Sequence, residues 1–468
     1  MRDLILVLGA HAQSGRNAAR QLRAAHFYGR VLAQDASAET LAAEEASGVI
    51  LTEAFEDAAG YDALVSLGIP TLMLGPAAEG FLQRYAQSAP HESGVATVAF
   101  EKCDLFACVP DGERRISGAA NYDLPDGMSV IADADGRPAA VADDSRKLYL
   151  LLSRVERNDP DGTQILLNFA QQICGCTPWW TLEGFIERAI SDIRQTVGDG
   201  SVACAVSGGL DSTVAAVLTR QALGERAHCI FVDTGLMREG DAARTERFFR
   251  DEMGFSFFCS DISDSLLYTM RGMETMDAKW QIASREISQA IQRVARQIPD
   301  VRAIVHGIGA ADMLRRGNDE SAKRAEDSLP VLEPLRELFK DEVRRVGDML
   351  GLGAEILERQ PFPTIGLAAR MGGEVTPAKL KMLRTADAAF LDELQAAGME
   401  RRISVAYAML DTVGGKYAVI LRALQGHGDG AMAARLPSDL IERTVSRIQE
   451  EMPLVRRVLY DFTPGSGA

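Results

Sequence analysis

The sequence predicts an α/β protein built around a doubly wound parallel sheet, with another α/β domain before it and a small α+β domain after it. Three observations lead to this prediction. Short apolar runs of the kind that form buried parallel strands alternate with amphipathic helical stretches. The chain has 468 residues, of which 47% are hydrophobic, so it can form several domains with sizeable cores. One apolar run, Val202–Val206, passes through a glycine turn directly into a helical stretch.

We place the domain boundaries after residues 176 and 375. The first domain, residues 1–176, begins with the strand-like run Leu4–Leu8 and becomes rich in predicted strands in its second half. The second domain, residues 177–375, contains the glycine turn and the doubly wound sheet. The third domain, residues 376–468, combines predicted helices with a hairpin of strands, which is typical of an α+β fold.

The glycine turn has the composition of a phosphate-binding loop. It lies in the stretch VACAVSGGLDSTV, between a buried strand and a helix that we expect to run from Val214 to Ala222. Backbone N–H groups at such a helix start lack partners, and the helix dipole places partial positive charge there. Gly208 and Gly209 allow the backbone to approach a phosphate closely. The turn contains no lysine, which excludes the GxxxxGKS/T loop of ordinary nucleotide-binding proteins.

The pattern SGGLDST resembles the pyrophosphate loop of the N-type ATP pyrophosphatases, a family that cleaves ATP into AMP and pyrophosphate. The resemblance implies that Asp211 is a catalytic residue and a ligand of Mg²⁺. In the alternative interpretation, Asp211 or Ser212 only caps the helix. We favour the ATP site because the whole motif follows a strand. The residues that the resemblance assigns to ATP are Ser207, Gly208, Gly209, Leu210, Asp211, Ser212 and Thr213.

A second segment, FVDTGLMREGD, contains the end of the next apolar strand, Ala227–Val232, and the turn after it. Ligands of open α/β sheets bind beyond the carboxyl ends of the strands, so this turn should lie beside the glycine turn. The segment resembles the part of GMP synthases that contacts the adenosine of ATP, which implies that Val232, Asp233 and Gly235 bind ATP. The alternative for Asp233 is a simple turn residue or helix cap.

Two further segments resemble GMP synthases. HGIGAAD carries Asp312 where that family has an aspartate near the nucleotide, so Asp312 is a candidate catalytic residue. PLRELFKDEVR is nearly the sequence that GMP synthases have at this place. Lys340 in this segment is a candidate catalytic residue, expected near the phosphates or beneath a closing lid. The alternative is a solvated helix lysine, which would stand four residues from Arg344, where like charges repel.

The first domain resembles the class I glutamine amidotransferase domain of GMP synthases, in which a histidine and a glutamate activate a cysteine on a strand-to-helix turn. Here Gly75 falls at the nucleophile position and Pro76 follows it. Arg154 stands where the family has the histidine, and a guanidinium cannot accept a proton at neutral pH. Glu156 is retained. We therefore expect a degenerate domain that does not hydrolyse glutamine and serves as a structural or regulatory module.

The last domain resembles the dimerisation domain of GMP synthases in the segments ARLPSDLIERTVSRI and VLYDF. This resemblance implies a homodimer. The acceptor side departs from the family. Between Arg316 and Leu329 a charged stretch without histidine replaces a family loop rich in histidine and glycine. The resemblance therefore implies a divergent paralogue that keeps the ATP chemistry, with a purine-like small molecule as acceptor.

Together these features predict an ATP-dependent, AMP-forming ligase that uses ATP and Mg²⁺ to adenylate a carbonyl oxygen of a purine nucleotide or related heterocycle. Ammonia or an external amine then replaces the oxygen. Two alternatives stay open. One is a sulfur-transferring ATP pyrophosphatase, for which Cys174 and Cys176 are present, although amidating members of the family share this pair. The other is a non-catalytic regulator that binds a nucleotide.

The composition argues against other classes of function. A formal net charge of −16 does not suit a general nucleic-acid or membrane-surface binder. The sequence contains no apolar run of about 18 residues and no signal peptide, so we expect a cytoplasmic protein. The seven cysteines are irregularly spaced and indicate neither a disulfide framework nor a zinc site.

Overall fold

The structure is a computed structural model, and it describes residues 3–9, 13–86, 94–117, 123–156, 159–310, 328–400, 402–426 and 431–464. The chain divides into two compact units. The first runs to Phe185, and the second comprises Ile186–Gly309 and the described residues from 328 onward. Every helix within the described ranges is too short or too polar to span a lipid bilayer.

The first unit is built on one sheet of nine strands. They are β1 (Ile5–Leu8), β2 (Gly29–Leu32), β3 (Gly48–Leu51), β4 (Thr71–Leu74), β5 (Gly94–Phe100), β6 (Gly112–Ile116), β7 (Ser129–Ala134), β8 (Arg137–Asp143) and β9 (Leu148–Leu151). The strands β2-β1-β3-β4-β9 are parallel neighbours, and β8, β7, β5 and β6 continue the sheet in antiparallel order. Because β1, β3 and β4 are buried throughout, their sequences are apolar except for Thr71 at the start of β4.

Along the chain, most helices of the first unit connect its parallel strands. Those in the described residues are α1 (Gln13–Ala24), α2 (Ala38–Ala43), α3 (Ala58–Ser66), α4 (Pro76–Tyr85) and α5 (Pro160–Asn168), and α6 (Leu182–Val197) leads into the second unit. Aspartate caps start two of them. Asp57 accepts the Gly60 N–H at 3.2 Å before α3, and Asp159 accepts the Gly162 N–H at 3.0 Å before α5.

The second unit contains a sheet of five strands, all parallel. They are β10 (Ser201–Val206), β11 (Ala227–Asp233), β12 (Ser256–Asp261), β13 (Val301–His306) and β14 (Val331–Leu332). Their order is β12-β11-β10-β13-β14, so the chain moves outward from β10 to β12 and then returns to the other side of β10. With right-handed crossovers this order places helices on both faces, as the doubly wound prediction requires. The order reverses between β10 and β13.

Six helices in the described residues accompany this sheet. They are α7 (Leu210–Leu223), α8 (Asp241–Arg247), α9 (Ser263–Thr269), α10 (Met276–Ala295), α11 (Lys340–Met349) and α12 (Ala354–Leu357). Helix α7 packs on β10, β11 and β13, and α11 packs on α7. Helix α10 packs on all four strands from β10 to β13. The first turn of α7 and the first residue of α11 are thus brought to the same region of the unit.

The C-terminal part of the second unit has the α+β pattern that the sequence predicts. Its elements are α13 (Pro377–Ala396), β15 (Val405–Val413), β16 (Lys416–Gln425), β17 (Met432–Ala433), α14 (Ser438–Glu451) and β18 (Val455–Tyr460). β15 and β16 form an antiparallel hairpin around Gly414 and Gly415, which both have positive φ angles of 61° and 74°. Such angles suit the tight turns of two-residue hairpins.

The five-stranded parallel sheet and the C-terminal elements share one apolar core. A single cluster of buried residues contains Leu236 and Leu266 from the connections of the parallel sheet, Phe390 of α13, and Ile448 of α14. The proposed domain boundary after residue 375 therefore falls inside one compact body. This arrangement lets side chains of α13 reach the connection that follows β11.

Candidate active site

The glycine turn after β10 opens directly into α7. The helix begins at Leu210, four residues earlier than the expected Val214, and Gly209 is its N-cap with φ −79° and ψ 165°. No side chain in the described residues caps this end. The prediction that Asp211 or Ser212 is merely a helix cap is therefore wrong, because both lie inside the first turn. The N–H groups of that turn face the end of the helix where anions bind.

Hydroxyl groups hold the shape of the turn. The Ser207 N–H donates to Ser212 Oγ at 3.1 Å, and the two serine hydroxyls are 3.2 Å apart. Ser212 Oγ and Thr213 Oγ1 lie 3.1 Å and 2.8 Å from the Gly209 carbonyl oxygen. The turn is thus pre-formed by its own side chains, which reduces the entropy cost of binding a phosphate.

Two glycines allow other elements to approach the turn. Gly208 has a φ of +74°, and a Cβ placed on it would lie 2.4 Å from Thr245 Oγ1 of α8. Gly307 follows β13, and a Cβ there would lie 2.4 Å from the Ser212 nitrogen and 2.5 Å from the Asp211 carbonyl oxygen. The turn therefore lies where the strand order reverses, between the carboxyl ends of β10 and β13, which is where open α/β sheets bind ligands.

Lys340 and Asp211 meet at this turn. The Lys340 ammonium contacts Asp211 Oδ2 as a salt bridge between a side chain that is 44% exposed and one that is 18% exposed. Arg344 does not share this site, because its Nε donates to the Leu357 carbonyl oxygen at 3.3 Å. Lys340 is therefore paired with Asp211 rather than set against Arg344, and its catalytic role stays a prediction.

The second oxygen of Asp211 suits a metal ion. Asp211 Oδ1 is buried, and within the described residues it has no hydrogen-bond partner. Those residues contain no group of three or more histidine, cysteine or acidic side chains that could hold a metal by themselves. Mg²⁺ is commonly bound by one or two carboxylates together with substrate phosphates and water. The donor set therefore fits an Mg²⁺ ion that arrives with a nucleotide.

The turn after β11 lies at the same edge of the sheet, because Val206 of β10 is paired in register with Phe231 of β11. Val232 and Asp233 are half-buried at the end of β11. Asp233 Oδ1 accepts the Gly235 N–H at 2.9 Å, and Gly235 has a φ of +65°. Asp233 is thus at least a turn-forming residue, as its alternative interpretation states.

Donors from later in the chain hold three successive carbonyl groups of this turn. Arg384 of α13 donates to the carbonyl oxygens of Gly235 and, at 2.9 Å, of Met237. The Leu367 N–H donates to the Leu236 carbonyl oxygen at 2.8 Å. These contacts were not foreseen from the sequence, and they fix the backbone of the segment that the resemblance assigns to adenosine.

The next residue of the turn, Arg238, enters a buried ionic cluster. Its Nε donates to Asp387 Oδ2 at 2.6 Å, and Asp387 Oδ1 accepts bonds from Arg370 Nη1 at 3.4 Å and from the Ala408 N–H at 2.8 Å. Burial lowers the pKa of Arg370 to about 10, and the neighbouring Arg238 adds to this effect. Asp387 thus joins the β11 connection to α13 and β15.

Asp312, the third predicted catalytic residue, lies outside the described residues. Its catalytic role remains a prediction from the sequence.

The positions that the sequence analysis assigns to a degenerate glutaminase lie around a strand-to-helix elbow in the first unit. Gly75 ends the connection from β4 to α4 with φ +50° and ψ −114°, and Pro76 is the first residue of α4. A Cβ on Gly75 would lie 2.7 Å from Arg154 Cγ. Glu156 is exposed, and its backbone carbonyl accepts a bond from Gln21 Nε2 at 2.8 Å. The elbow is thus present, and the stem of the Arg154 side chain packs against Gly75.

Comparison with known proteins agrees with this arrangement. A family model described as NAD synthase matches residues 182–297, which include the whole glycine turn. The chain is 34% identical over 504 aligned positions to the GMP synthase (glutamine-hydrolyzing) of Symbiobacterium thermophilum, with 99% of this chain and 97% of that protein covered. It is 33% identical to the GMP synthase (glutamine-hydrolyzing) of Acetivibrio thermocellus, with 98% of each chain covered.

A solved structure is also similar to part of the chain. A crystal structure described as that of a GMP synthase subunit from Thermoplasma acidophilum aligns with 37% of this chain and 95% of its own, at 18% identity and a TM-score of 0.31. The near-full-length identity to curated relatives covers the turn after β10, the turn after β11 and the elbow. On that identity, the chain belongs to the GMP synthase family.

Proposed function

We propose that the chain is an ATP-dependent, AMP-forming ligase that adenylates a carbonyl oxygen of a purine nucleotide or related heterocycle and replaces it with nitrogen. Membership of the family supports C–N ligation driven by ATP. The observation that carries the proposal is the joint placement of the Ser207–Thr213 turn and the Lys340–Asp211 pair. A pre-formed anion cradle stands beside a cation and a carboxylate oxygen that suits a metal.

In this proposal the turn holds the pyrophosphate end of ATP. Backbone N–H groups of Gly208, Gly209 and the first turn of α7 donate to the β- and γ-phosphate oxygens, while the Ser207 N–H stays bonded to Ser212 Oγ. The Lys340 ammonium offsets part of their negative charge. Asp211 would hold Mg²⁺ through Oδ1, and the bound ion would neutralise charge on the departing pyrophosphate. The turn Val232–Gly235 holds the adenosine at the same edge of the sheet.

The reaction then has two displacements. The acceptor's carbonyl oxygen attacks the α-phosphorus, and pyrophosphate leaves with the electron pair of the broken P–O bond. Ammonia or an amine next attacks the activated carbon, and AMP departs with the former carbonyl oxygen. The protein's contribution is to orient the α-phosphorus toward the acceptor and to stabilise the charge on both leaving groups.

The nitrogen comes from outside the chain in this proposal. Gly75 supplies no nucleophile, and Arg154 supplies no base at neutral pH. Pro76 adds a third loss, because the residue after the nucleophile of such an elbow donates its N–H to the oxyanion and proline has none. We therefore propose that the first unit is a structural or regulatory module. A homodimer and a cytoplasmic location stay predictions from the sequence.

Within the described residues, the Cys174 and Cys176 pair does not favour sulfur transfer. Burial raises the pKa of the Cys176 thiol to about 11, and burial raises the pKa of Cys174 as well. A thiol in this state is a poor nucleophile near neutral pH, because the reactive species is the thiolate.

The proposal is tested by measuring pyrophosphate release from ATP with a panel of purine bases, nucleosides and nucleotides. Ammonium, glutamine or sulfide is supplied in separate reactions, and an Asp211→Asn variant is the control. We expect release that depends on one acceptor and on ammonium, with the aminated acceptor and AMP as products. Release that glutamine supports as well as ammonium would contradict the external nitrogen source. Absence of pyrophosphate release with every acceptor, despite ATP binding, would favour the non-catalytic regulator.

A further inference from the structure

We infer that Arg359 is a positioning residue that aims the Gly209 N–H of the turn at the phosphates of ATP. The inference rests on the proposed function, since it assumes that the turn holds the pyrophosphate end of a nucleotide. Arg359 lies in the connection between α12 and α13 and was not among the residues that the sequence singled out. It acts from the side of the turn opposite to the ligand.

The guanidinium of Arg359 bridges the turn and α8. Its Nη1 donates to the Gly208 carbonyl oxygen at 2.6 Å, and its Nη2 donates to Asp241 Oδ1 at 3.1 Å. The Arg359 side chain is 21% exposed and that of Asp241 only 7%. Asp241 is itself fixed as the first residue of α8, where its carbonyl oxygen accepts the Thr245 hydroxyl at 2.9 Å. The guanidinium is therefore anchored on a rigid element.

Peptide geometry turns this anchor into an orientation. In a planar trans peptide the C=O of one residue and the N–H of the next point in opposite directions. Because Arg359 holds the Gly208 C=O on one side, the Gly209 N–H must point to the other. The peptide joins two glycines, which restrict backbone rotation least, so the Arg359 bond adds a restraint on this peptide to those that the hydroxyl groups supply.

The Gly209 N–H is also available to a better acceptor. Its contact with Ser207 Oγ is 3.4 Å, beyond the usual length of an N–H···O hydrogen bond. A phosphate oxygen would form a shorter, charge-assisted bond with the same donor. Thr245 limits how far the turn can move toward α8, because its Oγ1 lies 2.4 Å from the position that a Cβ of Gly208 would take. The structure thus defines both the direction and the depth of this donor.

The two bonds also explain why an arginine is needed. One planar group reaches a carbonyl and a carboxylate at once, and a lysine ammonium presents no such fork. Replacing Arg359 with lysine should therefore keep the charge and lose the orientation.

The test measures binding of inorganic pyrophosphate and of AMP separately, by calorimetry on the full chain with Mg²⁺. We expect Arg359→Lys and Arg359→Gln to weaken pyrophosphate binding about tenfold, the scale of one hydrogen bond to a charged group, and to leave AMP binding unchanged. Asp241→Asn, which loosens the anchor only, should weaken pyrophosphate binding by a smaller factor. Weaker pyrophosphate binding with unchanged AMP binding would indicate a lost orientation of the Gly209 N–H, because a general loss of structure would weaken the binding of both ligands.

Arg226→Gln is the matched control. Arg226 donates to the carbonyl oxygens of Gly198 at 2.7 Å and Gly200 at 2.5 Å, at the opposite end of β10, so its loss should not change pyrophosphate binding. Equal weakening of pyrophosphate and AMP in the Arg359 variants, or wild-type pyrophosphate binding in them, would overturn the inference alone. A wild-type chain that binds neither ATP nor pyrophosphate would overturn the proposed function and the inference with it.

Discussion

The Lys340 ammonium contacts the Asp211 carboxylate, so the first residue of α11 is tied to the first turn of α7 across 129 positions of sequence. The pair stands beside the serine hydroxyls of the glycine turn. Because the Lys340 side chain is 44% exposed, the pair contributes little to folding, about 0–1 kcal/mol. We expect the pair to matter for the reaction instead, because the Lys340 ammonium would face the negative charge of the departing pyrophosphate.

Lys340→Met should therefore slow the enzyme without unfolding it. We expect kcat/KM for pyrophosphate release to fall about a hundredfold, the scale for removing one electrostatic contact to a transition state. The melting temperature should stay close to that of the wild type. Steady-state pyrophosphate release and thermal unfolding of the same preparations check both statements.

Lys340→Arg is the control for this prediction, since it keeps the positive charge. It should retain more activity than Lys340→Met, although the larger planar group cannot reproduce the contact fully. A Lys340→Met variant with wild-type kcat/KM would show that the pair is only a surface salt bridge.

The local pattern of the sequence was sufficient for the strands but not for the start of α7. β10 and β11 end within one residue of the expected Val206 and Val232, because each is a short apolar run with polar residues after it. The expected start of the helix was four residues too late, because Asp211 and Ser212 have side chains that are typical of cap residues. The turn uses Gly209 as the cap instead and leaves those two side chains for the site.

The local sequence pattern could not predict the long-range contacts, except for the ion pairs of Asp387. The Lys340–Asp211 and Arg359–Gly208 contacts join segments far apart in sequence, and no periodicity encodes such a pairing. Asp387, in contrast, lies on the apolar stripe of α13 between the buried Leu383 and Phe390. A lone carboxylate at helical spacing within an apolar stripe indicates a buried ion pair, and it could have identified the cluster in advance.

Arg384 should affect the adenosine side of the site and not the phosphate side. Arg384→Gln removes the donors that hold the carbonyl oxygens of Gly235 and Met237, so the turn after β11 loses its fixed backbone. We expect AMP binding to weaken about tenfold while inorganic pyrophosphate binds as in the wild type. Calorimetric titration with each ligand measures the difference, which is the reverse of that expected for Arg359.

Arg194→Gln provides a matched control for this variant. Arg194 also holds two backbone carbonyl oxygens, those of Ala222 at 2.9 Å and Gln221 at 3.3 Å, at the end of α7 remote from the turn. AMP binding should be unchanged in it. If Arg384→Gln bound AMP with wild-type affinity, the turn after β11 would not be a determinant of adenosine binding.

Asp387 should be a major determinant of stability. Asp387→Ala would leave the guanidinium groups of Arg238 and Arg370 and the Ala408 N–H without their common acceptor. Breaking a buried ion pair in this way costs about 3–5 kcal/mol, because the remaining charges stay desolvated. Urea unfolding of the variant should show a loss of that size in the free energy of unfolding.

Asp392→Asn on the same helix is the comparison for Asp387. Asp392 pairs with Arg447 at 2.9 Å, but its side chain is 57% exposed, so its loss should change stability by less than about 1 kcal/mol. Similar unfolding curves for the two variants would mean that burial does not distinguish these carboxylates. In that case the β11 connection would not depend on the cluster.

Gly75 should not accept a restored nucleophile without a change at Arg154. In Gly75→Cys the new Cβ would lie 2.7 Å from Arg154 Cγ, and the residue would have to adopt a φ of +50° that side chains disfavour. We expect the free energy of unfolding to fall by about 1–3 kcal/mol. The double variant Gly75→Cys/Arg154→Ala should recover the part that the clash causes. Denaturant unfolding checks both values.

None of these proteins should release glutamate from glutamine, because Pro76 still denies the oxyanion its N–H and position 154 carries arginine or alanine where the family has its histidine. Gly112→Cys is the control for adding a cysteine to the same unit, since a Cβ on Gly112 would meet nothing within 4 Å and its stability should match the wild type. Two results would contradict this account of the elbow. One is a Gly75→Cys protein as stable as Gly112→Cys, and the other is sustained glutamate release by the wild-type chain.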